Sequence, residues 1–193
     1  MADVRTGLGA RWRVAVGADR AGFEYKERIR LDLEKDPRVE VVVDLGVFGK
    51  DGTYYSEIAL GAALRIAQGE VDRAVLVCGT GIGMAVSANK VPGVRASTIS
   101  DSFSCERSVR SNNCQVLTFG QRVIGLELAR RLTREWLGYV FDPTSPSQAK
   151  LSVIERYEEA LADRLQGGEG MAPLGSTAKL MGLGQDLEAD DGD

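Results

Sequence analysis

The feature that most constrains the fold is a regular alternation of apolar and amphipathic segments. Five runs rich in β-branched residues are apolar along nearly their whole length, which is typical of strands covered on both faces of a sheet. The order strand, helix, strand, helix predicts an open parallel sheet with helices on both faces, whose ligands bind beyond the carboxyl ends of the strands. The predicted strands are 12–16, 39–45, 74–77, 94–99 and 116–119.

The spacing of apolar residues between these strands is typical of amphipathic helices. Helices are expected within 21–35, 56–70, 102–111 and 125–139, and a short one is expected after the glycines near residue 80. The break "FDPTSPS" precedes a last helix at about 148–165. We therefore predict one domain over 11–165, a flexible N-terminus over 1–10 and a flexible, glycine-rich acidic tail over 166–193.

Composition excludes several classes of protein. A net charge of −4 gives no electrostatic reason to bind nucleic acid or an anionic membrane. No apolar run approaches the roughly 20 residues that span a bilayer, and the first residues lack a signal-peptide core, so a cytoplasmic location is expected. Three cysteines and no histidine argue against a disulfide scaffold and a structural zinc site, and exclude Ser-His and Cys-His catalysis.

The segment "VLVCGTGIG" ends the third predicted strand in a cysteine and three alternate glycines. Glycines at 79, 81 and 83 let backbone N–H groups converge on an anion or a developing oxyanion. The spacing is neither the G-x-G-x-x-G of dinucleotide-binding folds nor the Gly-Lys-Ser/Thr of a P-loop. From the residues alone, Cys78 is a small buried residue or a catalytic thiol, and a redox role lacks a nearby resolving cysteine.

Other polar residues lie at predicted strand ends. Asp19 either caps the next helix or contacts a ligand, and Arg20 at the same place indicates an anionic ligand. Asn112 precedes the fifth strand and is either a turn residue or a ligand contact. Tyr55, before the second helix, either contacts a sugar or packs in the core.

Taken together, these segments resemble a known family. From about residue 13 to 157 the chain is similar to ribose-5-phosphate isomerase B and galactose-6-phosphate isomerase, through "VGADRAGFEYK", "GEVDRAVLVCGTGIGMAVSANKVPGVRAS", "SDSFSCERSVRSNN" and "FGQRVIGLELARRLTREWL". The resemblance implies a Rossmann-like three-layer α/β/α fold with a five-stranded parallel sheet and an extra C-terminal helix. It also implies a homodimer or dimer of dimers with sites at the interface, and no metal or organic cofactor.

The resemblance further implies an intramolecular oxidoreductase that interconverts aldose and ketose phosphates through a cis-enediolate. Cys78 matches the catalytic base, and Thr80 would assist proton movement at the second carbon. Asp19 and Asn112 match sugar contacts, and Tyr55 matches a tyrosine at the rim of the site. The enediolate oxygen would be stabilised by the amides of the loop, namely Gly79, Gly81, Ile82 and Gly83.

The chain departs from the family pattern at three places. The family usually has histidine at the positions of Arg20 and Ser111, the latter for opening the sugar ring, and two C-terminal arginines where only Lys150 is a cationic match. A four-carbon substrate such as erythrulose 4-phosphate has no such ring to open, and Arg20 could then bind its phosphate. Alternatively, ribose 5-phosphate opens spontaneously or with Ser111 and water. A second functional class is also possible from the sequence: the chain is a non-catalytic, sugar-phosphate-binding subunit of a hetero-oligomeric isomerase.

Overall fold

The computed structural model describes residues 11–48 and 53–166. The segments predicted to be flexible, 1–10 and nearly all of 166–193, lie outside the described residues. The chain divides into two compact units, one ending at Pro143 and one beginning at Thr144. Across the part of the chain that is described, no helix is long and apolar enough to cross a membrane.

The first unit is a five-stranded, all-parallel sheet with the strand order β2-β1-β3-β5-β4. This confirms the predicted sheet and the predicted alternation with helices. The strands are β1 (Trp12–Ala18), β2 (Val39–Asp44), β3 (Arg73–Cys78), β4 (Ala96–Thr98) and β5 (Val116–Gly120). The helices are α1 (Phe23–Leu33), α2 (Tyr55–Ala67), α3 (Ile82–Ala88), α4 (Ser102–Arg110) and α5 (Leu126–Trp136).

Strand β4 is shorter than the predicted run 94–99. It lies at the edge of the sheet and pairs only with β5, from Ala96 to Thr98. Val94 belongs to a turn, because its N–H donates to the carbonyl of Val91 at 3.1 Å. The predicted strand was too long because Val94 and Ile99 are buried without belonging to β4.

Each face of the sheet packs against its own apolar cluster, which explains the continuous apolar runs. One cluster joins β1, β3 and β5 to α1, α4 and α5, with Trp136 and Phe119 fully buried. The other joins the opposite face to α2 and α3, with Leu76 and Met84 fully buried. Strands alternating with helices on both faces form the three layers that the sequence predicted.

The second unit contains α6 (Ser147–Gln166), the predicted last helix. The predicted domain boundaries at 11 and 165 stay a prediction.

The order of the strands in the sheet creates a crevice beside β1. From β1 the sheet continues to β2 on one side and to β3 on the other, so β1 and β3 flank a switch in direction, where open α/β sheets bind ligands. Ala18 pairs with Val77, and the N–H of Asp19 donates to the carbonyl of Val77 at 3.3 Å. The residues that follow, Asp19 and Cys78, are consequently neighbours at this crevice.

Candidate active site

Cys78 is the last residue of β3 and is buried. The N–H of Gly81 donates to its Sγ at 3.0 Å. Gly81 has a φ of 82°, and a Cβ there would lie 2.9 Å from Cγ2 of Thr98 and 3.0 Å from the carbonyl carbon of Phe119. Only glycine fits this position, so the hydrogen bond to the sulfur depends on it.

The rest of the loop leads into α3. Ile82 and Gly83 open that helix, so their N–H groups have no partner within it. The N–H of Ile82 donates to Oγ1 of Thr80 at 3.4 Å. The backbone of Thr80 packs against Gly120, since a Cβ at Gly120 would lie 2.6 Å from the carbonyl carbon of Thr80. Several donors are therefore gathered within a few residues of the thiol, and their binding of an oxyanion stays a prediction.

Tyr55, the first residue of α2, lies beside the same loop. A Cβ at Gly83 would come within 2.6 Å of its ring, so the ring is in close contact with the backbone at Gly83. Tyr55 is 43% exposed and therefore is not a core residue. The position of Tyr55 at the rim of a substrate site and its contact with sugar stay predictions.

Asp19 does cap the chain before α1. Its Oδ1 accepts hydrogen bonds from the N–H groups of Ala21 at 2.9 Å and Gly22 at 3.1 Å. Both capping bonds go to Oδ1, so capping is compatible with a contact from Oδ2 to a substrate hydroxyl. The two interpretations of this residue are not mutually exclusive.

Arg122 adjoins Gly79, and Arg20 lies one residue before Ala21, which also adjoins Gly79. Arg20 is exposed and precedes Ala21, whose Cβ would be 3.8 Å from a Cβ at Gly79. Arg122 was missed: its Cδ and Nη1 would each be 3.7 Å from that same Cβ, and its N–H donates to the carbonyl of Gly79 at 3.1 Å. No carboxylate within 11–48 and 53–163 forms an ion pair with Arg20 or Arg122. The signal was available, because Arg122 follows β5 as Arg20 follows β1.

Ser111 and Asn112 lie at the other end of the sheet. They follow α4 and precede β5, and the neighbouring Asn113 accepts from Nε of Arg95, just before β4. Because Val116 pairs with Ala74 and Gly120 pairs with Cys78, the length of a strand, about 13 Å, separates this turn from the thiol. One chain therefore does not bring these predicted contacts to Cys78. Lys150 lies in α6, in the second unit, and its predicted phosphate contact stays a prediction.

The other two cysteines are unsuited to nucleophilic or base chemistry. Burial raises the pKa of the Cys105 thiol to about 12 and that of the Cys114 thiol to about 11. All three cysteines are free thiols. Among the described residues, no group of three or more Cys, Asp or Glu side chains could hold a metal ion.

Comparison with known proteins identifies the family of this chain. The family model described as Ribose/Galactose Isomerase matches residues 14–154. The chain belongs to this family. Family membership confirms the resemblance seen in the sequence and the isomerase class expected from it.

Named relatives of the Ribose/Galactose Isomerase family cover most of the chain. D-erythrulose-4-phosphate isomerase 2 from Mycolicibacterium smegmatis is 56% identical over 149 residues, which cover 77% of this chain and 98% of that protein. Ribose-5-phosphate isomerase B from Escherichia coli is 40% identical over 130 residues, 67% of this chain and 86% of that protein. The structure of Leishmania infantum type B ribose 5-phosphate isomerase superposes with a TM-score of 0.74 at 29% identity, covering 78% of this chain and 99% of that one. The Rossmann-like fold is thereby confirmed.

Proposed function

We propose that this chain is a cofactor-independent aldose–ketose isomerase of a sugar phosphate, acting through a cis-enediolate with Cys78 as the base. The observation that carries the proposal is the 3.0 Å hydrogen bond from Gly81 N–H to the Cys78 sulfur, within a loop of converging donors. Such a donor stabilises negative charge on the sulfur, which a thiol needs in order to accept a proton from carbon.

In the ketose-to-aldose direction, Cys78 takes a proton from C1 of the substrate. The electron pair of that C–H bond forms the C1–C2 double bond, and the carbonyl oxygen at C2 becomes the enediolate oxygen. The N–H groups of Gly79, Ile82 and Gly83 stabilise this oxygen, together with that of Gly81, which the sulfur no longer needs once it has accepted the proton. Thr80 would assist transfer of the proton of the C1 hydroxyl to the oxygen on C2, and return of the proton from Cys78 to C2 leaves the carbonyl at C1. No atom or electron is gained or lost.

The phosphate would be bound by the arginines that follow β1 and β5. Arg20 and Arg122 each present a planar fork of donors, which suits bidentate contact with phosphate oxygens. Arg122 lies against Gly79 of the loop, Arg20 is exposed and precedes Ala21 at the same crevice, and Lys150 is a further candidate. Asp19, through Oδ2, would accept a hydrogen bond from a substrate hydroxyl.

A four-carbon substrate explains the composition best. The chain contains no histidine, so no imidazole can open a sugar ring. A ketose of four carbons with its phosphate on the terminal oxygen lacks the free hydroxyl that closes a five-membered ring. The relative that is 56% identical is named an erythrulose-4-phosphate isomerase, so we propose erythrulose 4-phosphate and erythrose 4-phosphate as the reactants. Ribose 5-phosphate is the alternative, supported by the name of the relative that is 40% identical.

The site would be completed by a second copy of the chain. Ser111 and Asn112 lie a strand length from Cys78 of their own chain, so only another copy can bring them to that thiol. Helices α2 and α3 pack together and expose the apolar side chains of Leu64, Ile82 and Val86, of which Ile82 belongs to the glycine loop. A homodimer, or a dimer of dimers, that covers this face would bury apolar surface directly beside the site. The cytoplasmic location expected from the sequence stays a prediction.

The test is a panel of four-, five- and six-carbon sugar phosphates assayed with the purified protein. We expect the highest kcat/KM with erythrulose 4-phosphate and slower turnover of ribose 5-phosphate. Comparable or faster turnover of ribose 5-phosphate would contradict the four-carbon substrate, and turnover of no sugar phosphate would contradict the enzyme class. The purified protein could instead bind a sugar phosphate without turnover and become active only when a second, related chain is added. That result would favour the non-catalytic subunit suggested by the missing histidines.

A further inference from the structure

A lysine ammonium is buried close to the crevice and takes no part in the chemistry above. Lys26 lies in α1, and its side chain is 0% exposed. Its Nζ is 3.0 and 2.8 Å from the two oxygens of Asp44, 2.7 Å from Oε1 of Glu27 and 3.1 Å from the carbonyl of Val47. The rings of Phe23 and Phe48 complete its surroundings, with centroids at 5.3 and 5.4 Å.

Hydrogen bonds connect this ammonium to the end of β1. The N–H of Val47, whose carbonyl binds Lys26, donates to the carbonyl of Ala18 at 2.8 Å. The N–H of Ala18 in turn donates to the carbonyl of Gly46 at 2.8 Å, and Asp44, the partner of Lys26, accepts from the N–H of Gly46 at 2.9 Å. The segment between Asp44 and Val47 is thus bonded to Lys26 on one side and to the residue before Asp19 on the other.

A buried ion pair is a weak source of stability, because removing two charges from water offsets most of their attraction. Well-packed apolar side chains often stabilise a core equally well. A directional network that ends at Ala18, directly before the site residue Asp19, indicates a different role for the pair.

We propose that Lys26, together with Asp44, is a positioning residue that fixes Asp19 relative to Cys78. The inference rests on the proposed function, since it assigns Asp19 to the substrate. A displacement of about 1 Å at a substrate contact can lower turnover by up to 100-fold, so small shifts of β1 matter here. Lys26 acts through Asp19 and does not itself touch the substrate.

The test uses Lys26→Met, the double variant Lys26→Met/Asp44→Leu and the control Lys35→Met, which removes the same charge from an exposed position after α1. We expect Lys26→Met to lower kcat/KM for erythrulose 4-phosphate by roughly 10- to 100-fold and Lys35→Met to leave it unchanged. The double variant leaves no unpaired buried charge, so we expect it to recover thermal stability but not kcat/KM. Recovery of both would overturn the proposal, as would failure of both Lys26 variants to fold.

A double-mutant cycle with Asp19→Asn separates positioning from a general structural effect. Asparagine keeps the oxygen that accepts from the N–H groups of Ala21 and Gly22 and removes the carboxylate charge. If Lys26 acts through Asp19, Lys26→Met should change kcat/KM by less than about twofold in the Asp19→Asn background. If the losses of kcat/KM from Lys26→Met and Asp19→Asn multiply in the double variant, the two residues act independently and the proposal is overturned. A wild-type protein without turnover of any sugar phosphate would instead refute the proposed function, and with it this role.

Discussion

The N–H of Gly81 points at the sulfur of Cys78 from 3.0 Å, and the backbone that aims it has a φ of 82°. This hydrogen bond joins the last residue of β3 to the residue that caps α3. The thiol, the donors of the loop and the start of the helix are therefore positioned as one unit. An alteration at Gly81 should act on the chemistry of the sulfur as well as on stability.

Gly81→Ala should lower kcat far more than Gly93→Ala. Both glycines have positive φ, 82° and 78°, so both substitutions carry the same backbone penalty of about 1 to 2 kcal/mol. At Gly93 a Cβ meets nothing within 4 Å, whereas at Gly81 it meets Thr98 and Phe119 and would turn the N–H away from the sulfur. Steady-state kinetics and thermal melts of the two variants check this. Equal kcat at equal stability would contradict it.

Cys78 should be the first thiol to react with iodoacetamide in the folded protein at pH 8. The pKa of Cys105 is raised to about 12 and that of Cys114 to about 11 by burial, so both stay protonated at that pH. Peptide mass spectrometry over time should show loss of activity in step with labelling of Cys78, and slower labelling when a sugar phosphate is present. Labelling of all three cysteines at the same rate would contradict the predicted order of reaction. Full activity after labelling of Cys78 would contradict its role in the reaction.

Two inactive variants should complement each other if the site is shared between copies. In a heterodimer of Cys78→Ala and Asn112→Ala, one site has both changes and the other has neither. Random assembly on co-expression should restore about a quarter of wild-type activity, because half of the dimers then carry one intact site. Activity assays of the co-expressed pair and of each variant alone check this. A mixture no more active than its components would argue against sharing.

The ion pair between α1 and α5 should stabilise the fold in a pH-dependent way. Nε and Nη2 of Arg130 donate to Asp32 at 2.6 and 2.8 Å, and this hydrogen bonding lowers the pKa of the Asp32 carboxyl. A lowered pKa contributes stability above the ordinary carboxyl pKa, and this is lost as pH falls through the folded-state value.

Arg130→Gln should therefore lower the free energy of unfolding only slightly at pH 7, since both side chains are partly exposed. The difference from wild type should shrink as the pH falls below about 4. Urea unfolding at several pH values checks this, with the exposed Arg28→Gln as a control for net charge. A difference that stays constant down to pH 3 would contradict it.

The sequence predicted the sheet and the loop because their determinants are local. Continuous apolar runs mark buried strands, and the glycines after Cys78 allow a backbone that other residues resist. Lys26 and Arg122 were not recognised, because Asp44 lies 18 residues from Lys26, Gly79 lies 43 residues from Arg122, and both become neighbours only through the fold. Ser111 and Asn112 were expected at the site, but the direction of α4 carries them to the far end of the sheet. Their position before a parallel strand already places them at the amino end of the sheet, opposite the loop that follows β3.

The central claim is that Cys78 transfers the proton, and Cys78→Ala with erythrulose 4-phosphate tests it most directly. Alanine removes the sulfur at a position where the backbone is fixed by β3, so the fold and the substrate contacts should persist. We predict a fall in kcat of roughly 100- to 10,000-fold with an unchanged substrate Kd and an unchanged circular dichroism spectrum. Undiminished turnover by the folded variant would contradict the assignment of Cys78 as the base.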